Sequence, residues 1–420
     1  MPNTNDLFGQ TFEQILSKVV GGSNQKFQLI YPYEDWWWPT AATGLASQAW
    51  YFANQIPEWS SIGRYNPADA GFANAYASVL NQVNLTVSPS QQQALNDASN
   101  AVNAAMGKRA SDIDARNNAW TVANNVPPGV PKPEWATWVV ESGWQATLAA
   151  DGAAIDKANQ TKTAIVAQQN PEYKAAQEAL TPPGSGLTKA GWTTIPTSPG
   201  QSEPVVFYQI GTTGQDWVAL LSRGGNDVSI ELDASKSSSA LTESWAKATA
   251  SYNVLFWGVE AGGSWSDMNL SESDNSVKAT IQMKATMVPV SPGSWYQGGW
   301  LRTLAEKPNA FNSPYTPTGG SSPIFGKGGI LSLRVAGLVA GYQPSFTITM
   351  SQSTFNQHKS RFEASTGVRI GPFKFGGSGG HSSNIVNKTA QNGTFSGKSD
   401  ATYPFIMGII VASPGIDAIG

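Results

Sequence analysis

Apolar residues recur every three or four positions in the first part of the chain and every second position in the last part. Residues 6–20 have helical spacing, which ends at the pair Gly21-Gly22, and a short apolar strand follows. Helical spacing returns from Ser88 and persists to about residue 169. Beyond residue 204 the period is two, which is typical of β-strands. The pattern predicts an α+β protein.

The middle of the chain predicts a long antiparallel helical hairpin. Ser88 is a favourable N-cap and Pro89 suits the first helical position. A Pro-rich break at residues 126–133 separates two helices of about 35 residues, each ~50 Å long, and a short turn favours antiparallel packing. Separate shorter helices, broken near Gly107 and Gly152, are the alternative.

Two segments of the carboxy-terminal half, residues 228–293 and 346–415, resemble one another. Each has a short alternating strand, a polar segment, a strand that ends in Gly-Gly-Ser, a polar loop, a further strand and a final Ser-Pro-Gly. Shared landmarks in the same order predict an internal duplication built from β-strands. The β module should be sandwich-like or elongated.

These patterns divide the chain into four parts. A segment rich in Pro, Gly, Ser and Thr has the composition of a linker. The predicted parts are a Trp-rich amino-terminal region (1–87), the helical hairpin (88–180), the linker (181–204) and the β domain with its two copies (205–420).

The most regular alternation of the chain runs from Val277 to Met287. Polar residues on the other face leave one apolar face, and eleven residues match a membrane-crossing β-strand. The residues of this face, our candidates for lipid contact, are Val277, Ala279, Ile281, Met283, Ala285 and Met287. The same spacing recurs at residues 401–411. Such a strand suits an oligomeric β-barrel pore, but taken alone it is more typical of a half-buried strand of a soluble sheet.

Sixteen tryptophans give the chain a high aromatic content. Trp36, Trp37 and Trp38 are consecutive, so they cannot all point inward from one strand, and at least one should meet solvent, a partner or a neighbouring domain. The same argument applies to Trp295, Tyr296 and Trp300. These six aromatic contact candidates suit sugar stacking, a membrane interface or simply a core.

Composition excludes several classes of chemistry. Charged residues make up 13% of the chain and the net charge is −3, so we expect no nucleic-acid partner. The absence of cysteine excludes disulfides and thiol catalysis. His358 and His381 have no carboxylate cluster at ligand spacing, and we expect neither a metal nor another cofactor.

No segment shows a convincing catalytic motif. Gly376, Ser378 and Gly380 match the Gly-x-Ser-x-Gly pattern, but a polar loop follows where a nucleophile elbow needs a helix. We therefore expect a protein without enzymatic activity and assign no catalytic residue.

The amino terminus lacks a secretory signal, and no apolar run approaches the ~20 residues of a membrane-spanning helix. We expect cytoplasmic synthesis, with signal-independent release as one route out of the cell.

Together these features suggest a membrane-active protein of pore-forming or toxin-like type, which uses amphipathic β-hairpins and has lipid or a second copy as its partner. Two alternatives stay open. One is a self-assembling or adhesive structural protein, and the other is a carbohydrate-binding protein whose tryptophans contact a glycan.

Overall fold

The computed structural model describes most of the chain, and all structural statements concern the described part. The described residues are 11–21, 26–30, 49–60, 64–65, 67–84, 89–125, 135–166, 170–184, 187–198, 201–211, 219, 221, 225–233, 257–261, 264–267, 277–371, 373–376, 385–400 and 404–414.

The fold contains long helices and antiparallel sheets, which confirms the α+β class. The helices are α1 (11–20, its last turn Leu16–Val20 being π-helical), α2 (49–53), α3 (Phe72–Leu80), α4 (Pro89–Asn124), α5 (Trp135–Glu141), α6 (Trp144–Val166), α7 (Pro171–Leu180), α8 (Gly298–Ala305) and α9 (Gln352–Ala364).

The strands lie on both sides of the helical hairpin in the sequence. They are β1 (Lys26–Ile30), β2 (Gln55–Pro57), β3 (Arg64–Tyr65), β4 (Pro67–Gly71), β5 (Trp192–Ser198), β6 (Gln201–Val206), β7 (Tyr208–Ile210), β8 (Asn226–Asp233), β9 (Trp257–Ala261), β10 (Ser264–Asp267), β11 (Lys278–Pro292), β12 (Thr316–Thr318), β13 (Pro323–Phe325), β14 (Arg334–Thr349), β15 (Gly367–Ile370), β16 (Phe373–Gly376), β17 (Ile385–Gln391), β18 (Thr394–Ser399) and β19 (Phe405–Ala412).

Two long antiparallel strands, β11 and β14, form the spine of a nine-stranded sheet. Their pairing extends from Lys278 opposite Thr349 to Pro289 opposite Gly337. Each strand is longer than its outer neighbours, so each pairs with two of them. β8 and β7 follow each other along β11, and β18 and β19 follow each other along β14. The sheet continues from β19 to β1 and β3.

A glycine inside the spine permits close packing over the sheet. A Cβ on Gly341 would lie 2.6 Å from the Phe405 ring and 2.9 Å from the Met283 sulfur. Real Cβ atoms do not approach so closely, so only glycine lets the aromatic ring of β19 lie over β14 at this point.

The two similar segments occupy related places in the fold. β8 pairs with the first half of β11, and the last residues of β14 pair with β18. The hairpins β9–β10 and β15–β16 join through their first strands into one four-stranded sheet of order β10-β9-β15-β16. The correspondence ends at the last strand of each segment. In the first segment the last strand, β11, pairs with the first strand, β8. In the second segment β18 takes that place beside the end of β14, and the last strand, β19, pairs with the earlier part of β14.

Strand β19 departs from the predicted amphipathic pattern. Residues 401–403 lie outside the described part, and Phe405 to Val411 are all buried. The strand lies between β14 and β1 in the sheet and is apolar on both faces. Its alternate positions therefore do not define a lipid-facing side, because a strand covered on both faces needs apolar residues at every position.

The helical hairpin forms as predicted, but its second arm is interrupted. α4 continues through Gly107 and packs along α6. The second arm breaks between α5 and α6 at Gly143, whose φ of +78° lies in the left-handed region, whereas Gly152 lies within α6. Leu95 on α4 and Ile165 on α6 both reach the hydrophobic core, and this end is the base of the hairpin.

The segment predicted to be a linker contains ordered β-structure. β5 and β6 form an antiparallel hairpin within it. The indole Nε1 of Trp192 donates a hydrogen bond to the carbonyl of Ala179 at 2.8 Å, which ties this hairpin to α7. Composition alone missed these strands because alternation over six or seven residues is obscured by Thr, Ser and Pro.

Three lysines bind carbonyls at helix C-termini. Lys162 donates to Asn81 O at 2.9 Å at the end of α3, and Lys189 donates to Thr181 O at 2.6 Å at the end of α7. Lys388 donates to Phe362 O and Ser365 O at the end of α9, at 2.7 and 2.8 Å. Each ammonium meets carbonyls at the C-terminal end of a helix, which carry the negative end of the helix dipole.

Lys162 makes the stability of the hairpin base depend on pH. Burial lowers its pKa from 10.5 to about 8, so the folded state loses this proton before the unfolded state does. The cost of burying the charge is therefore present below pH 8 and is relieved as the pH rises towards 10.5.

We expect the free energy of unfolding of the wild type, relative to a Lys162→Met variant, to increase by about 2 kcal/mol between pH 7.5 and 9.5. Denaturant titrations at several pH values measure this difference. Lys157→Met, which removes an exposed lysine of the same helix, is the matched control and should show no such trend. A difference that stays constant with pH contradicts the assignment.

Candidate functional site

The apolar face of β11 points into the protein core. Val277, Ala279, Ile281, Met283 and Ala285 are at most 5% exposed. Met287 is half-buried and packs against the same core. In this conformation the six lipid-contact candidates stabilise the fold, and a contact with lipid requires the strand to leave the sheet or the sheet to open.

The opposite face of β11 is polar, and its charges are paired with β8. Lys278 lies 3.3 Å from an Asp233 carboxylate oxygen, and Lys284 lies 2.7 Å from one of Asp227. Gln282 is exposed between these pairs. The amphipathic character predicted for residues 277–287 is therefore present, with its apolar side inward.

The aromatic contact candidates of the second group belong largely to the core. Trp295 is fully buried, its ring centroid is 5.4 Å from that of Tyr208, and its Nε1 donates to Phe207 O at 2.7 Å. Of the alternatives left open for Trp295, the structure shows a core residue, because the carbonyl of Phe207 satisfies the polar indole nitrogen inside the protein. Tyr296 and Trp300 are half-buried against the same core.

Burial also raises the pKa of the Tyr296 phenol. Trp36, Trp37 and Trp38 lie outside the described residues, so their prediction stays open.

Three other tryptophans form a closed cluster at the far end of the helical hairpin. The centroids of Trp120 and Trp135 are 5.0 Å apart, those of Trp120 and Trp138 are 5.1 Å apart, and those of Trp135 and Trp138 are 5.5 Å apart. The guanidinium carbon of Arg116 lies 5.1 Å from the Trp135 ring, a cation–π distance. We call Arg116, Trp120, Val122, Trp135, Trp138 and Val140 the aromatic tip.

Local helix geometry explains why these rings meet. Trp135 and Trp138 are three residues apart, so they share one face of α5. The break at Gly143 separates α5 from the longer α6 and lets that face turn towards Trp120 on α4. The cluster thus depends on a residue that adopts a positive φ without strain.

The aromatic tip is remote from the hydrophobic core. Val102 is the last buried residue of α4, and Trp120 lies ~27 Å further along the helix axis at 1.5 Å per residue. The helix between them packs along α6 rather than against the sheets. The tip therefore projects from the body of the protein.

Apolar groups are exposed on more than one side of this tip. Val122 is 76% exposed, Val140 is 54% exposed and Trp135 is 40% exposed. Each valine follows a cluster tryptophan by two residues, so it points about 200° away around its helix. The tip therefore presents apolar side chains on more than one side, although Asn117, Asn118 and Thr121 of the same segment are exposed and polar.

The predicted helical hairpin did not by itself identify this cluster. The available signal was the spacing of Trp120, Trp135 and Trp138 around the Pro-rich break. A hairpin turn brings such residues together, but the break at Gly143, which determines their mutual orientation, was not predicted.

A polar bridge lies between the base and the tip of the hairpin. Lys108 Nζ lies 2.6 Å from carboxylate oxygens of both Asp112 and Asp151, and Asp151 is only 4% exposed. The hydrogen bond from Lys108 is the main cause that lowers the pKa of Asp112. The bridge joins α4 to α6 where few large apolar side chains meet.

The remaining candidates do not form a reaction centre within the described part of the chain. His358 is buried on α9, with its ring edge-on to Trp257 at 6.0 Å. Gly376 ends β16, and Ser378, Gly380 and His381 lie outside the described residues. No three His, Asp or Glu side chains of the described ranges group at metal-binding distance.

One surface cleft of about 580 Å³ lies beside the β5–β6 hairpin. It is lined by Leu187, Lys189 and Trp192 together with the hydroxyl-bearing residues Thr188, Thr193 and Ser202. An aromatic ring beside hydroxyl groups is a combination found in sites for uncharged polar ligands.

Comparison with known proteins found no family model, no curated protein and no solved structure that matches this chain. Among the described helices, none has both the length and the apolar character needed to cross a bilayer.

We expect Trp120→Ala to destabilise the tip without unfolding the protein, because two ring contacts are lost and each aromatic pair contributes about 0.5–1.5 kcal/mol. Amide hydrogen exchange in α5 should accelerate by about tenfold while the core strands keep their protection. Val122→Ala, at an exposed position of the same helix, is the control. Unchanged exchange in α5 contradicts a stabilising role of the cluster.

Proposed function

We propose that the protein is a non-enzymatic, membrane-active protein that contacts the lipid interface with its aromatic tip. The observation that carries the proposal is the partly exposed tryptophan cluster with Arg116 at the end of a projecting hairpin. Indole rings favour the boundary between headgroups and acyl chains, where the ring is in an apolar medium and its N–H reaches water.

The shape of the tip supports lipid over a protein partner. Its exposed apolar side chains offer on the order of 300 Å², well below the roughly 800 Å² that each partner buries in a standard protein interface. A projecting end with apolar side chains on more than one side suits a fluid medium, which closes around it without a preformed groove. A guanidinium beside the rings suits lipid phosphate.

Vesicle binding tests this contact. With vesicles of phosphatidylcholine, with and without phosphatidylserine, we expect Trp135→Ser to weaken binding by about tenfold, the effect of removing one large apolar side chain. Leu187→Ser removes a 69% exposed apolar side chain near the base of the hairpin and should bind like the wild type. Equal binding of the wild type and Trp135→Ser, or equal losses in both variants, contradicts the proposal.

We further propose that pore formation uses β11, with its apolar face turned from the core to lipid. Moving Ile281 or Met283 from a protein interior to acyl chains exchanges one apolar environment for another, so the hydrophobic cost is smaller than that of exposure to water. The cost lies in the broken pairing with β8 and β14.

A disulfide across β8 and β11 separates binding from pore formation. Ser229 lies opposite Gln282 in the register of these strands, and a cross-strand Cα distance of about 4.5–5.5 Å permits a disulfide. We expect oxidised Ser229→Cys/Gln282→Cys protein to bind vesicles without releasing dye, and reduction to restore release. Dye release by the locked protein contradicts the use of β11, and a wild type that releases no dye with any lipid contradicts pore formation altogether.

Carbohydrate binding is the second candidate function, and the cleft beside Trp192 is the observation that favours it. Titration with mono- and oligosaccharides, followed by tryptophan fluorescence, compares the wild type with Trp192→Phe. A sugar-dependent change that the variant lacks supports this function, and an unchanged wild-type spectrum contradicts it.

A further inference from the structure

The edge strand β8 is covered by side chains of α1. β8 pairs with β11 along one side. On its other side, the main-chain groups of Ser229 and Glu231 point away from the sheet and receive hydrogen bonds from Gln14 and Lys18. A strand edge with such groups unpaired would be a template for another strand.

The Gln14 side chain reproduces the contact of a neighbouring strand. Its Nε2 donates to Glu231 O at 2.6 Å, and its Oε1 accepts from Glu231 N–H at 2.9 Å. A residue in an antiparallel partner strand exchanges the same two hydrogen bonds with the residue opposite it. Lys18 Nζ donates to Ser229 O at 2.5 Å and to Gln14 Oε1 at 3.1 Å, so it covers the next carbonyl and orients the amide.

At the opposite edge of the nine-stranded sheet, strand β17 is protected in a different way. β17 has an irregularity between Val386 and Thr389 and a positive φ of 53° at Asn387. Lys388 directs its ammonium to the end of α9. A bulged edge does not present an even row of hydrogen-bonding groups, whereas the pairing of β8 with β11 runs without a break over residues 226–233.

We infer that α1 keeps the edge of β8 closed, and that displacing α1 allows β8 to pair antiparallel with β8 of a second copy of this chain. Such a contact is symmetric about a two-fold axis, the commonest symmetry of protein dimers. It needs no lipid and goes beyond the proposed membrane function.

The charges of β8 select the register of this pairing. The odd-numbered residues carry the outward main-chain groups, so they must face one another. Ser229 opposite Glu231 of the second copy satisfies this condition and places Ile230 opposite its own equivalent on the core face. If one copy of β8 is shifted by two residues along the other, Glu231 faces either Glu231 or Asp227 of the second copy. Like charges in such pairs are destabilising. In the selected register Asp227 faces Asp233, but each already has a lysine partner.

Surface substitutions in α1 displace it without removing its core anchor. Ile15 is fully buried and the rings of Phe12 and Phe27 stack at 5.1 Å, so deletion of the helix would disturb the core. Gln14→Glu/Lys18→Glu instead places two carboxylates against the acidic edge of β8. Glu13→Gln/Ser17→Ala changes the exposed side of the same helix and is the matched control.

Cysteine cross-linking identifies the register, because the native chain has no cysteine. Ser229→Cys protein is mixed with Glu231→Cys protein under mild oxidation, both in the Gln14→Glu/Lys18→Glu background, in the control background and in otherwise native chains. We expect a cross-linked heterodimer at least tenfold more abundant in the first background, since two hydrogen bonds that close the edge are lost. Neither cysteine protein alone should cross-link efficiently, because its own equivalents lie too far apart.

Light scattering on the cysteine-free Gln14→Glu/Lys18→Glu protein should report a concentration-dependent dimer, and circular dichroism should report an intact fold. A monomer with an intact fold overturns the inference, as does cross-linking that is equal in all backgrounds. If the substitutions unfold the protein, the milder Lys18→Gln background decides: a Ser229–Glu231 product more abundant than in otherwise native chains supports the inference, and equal amounts with an intact fold overturn it.

Discussion

The pairing of β11 with β14 is the interaction on which the rest of the structure depends. Both strands are longer than any single neighbour, so each supplies hydrogen bonds to two strands in succession. Residues from both ends of the chain, in β1 and β19, enter the same sheet through β14. The apolar side of β11 supplies much of the core beneath it. A sheet assembled in this way makes distant segments of the sequence mutually dependent.

The helical hairpin obeys a different constraint. Beyond Val102 the arms pack mainly on each other, and the bridge from Lys108 to Asp112 and Asp151 joins them where apolar contacts are sparse. The Trp120, Trp135 and Trp138 rings then close its end. Packing within the arms leaves the tip available for contacts outside the protein, whereas the apolar residues of the sheet are buried in the core.

The spacing of apolar residues predicted those elements that have one apolar and one polar side. The alternation at 277–287 identified β11, and the helical spacing from Ser88 identified α4, because each element has one side that packs against a neighbouring element and one that faces solvent. β19 was misinterpreted because both of its faces are covered. The break at Gly143, rather than at Gly152, was missed because either glycine permits a left-handed residue, and only the tertiary arrangement decides which one adopts it. The choice between core and surface for Trp295 stayed open because its partner, the Phe207 carbonyl, is 88 residues away in the sequence.

The lysines at helix ends have a consequence for the solution behaviour of the protein. Lys162, Lys189 and Lys388 donate to neutral carbonyl oxygens rather than to carboxylates. Dissolved ions screen attraction between exposed charges of opposite sign, but they weaken short hydrogen bonds to partly buried amide oxygens much less. The hydrogen bonds at these helix ends should therefore persist at high salt concentration. Acylation of the lysine amines would weaken them, because it removes the positive charge of the donor.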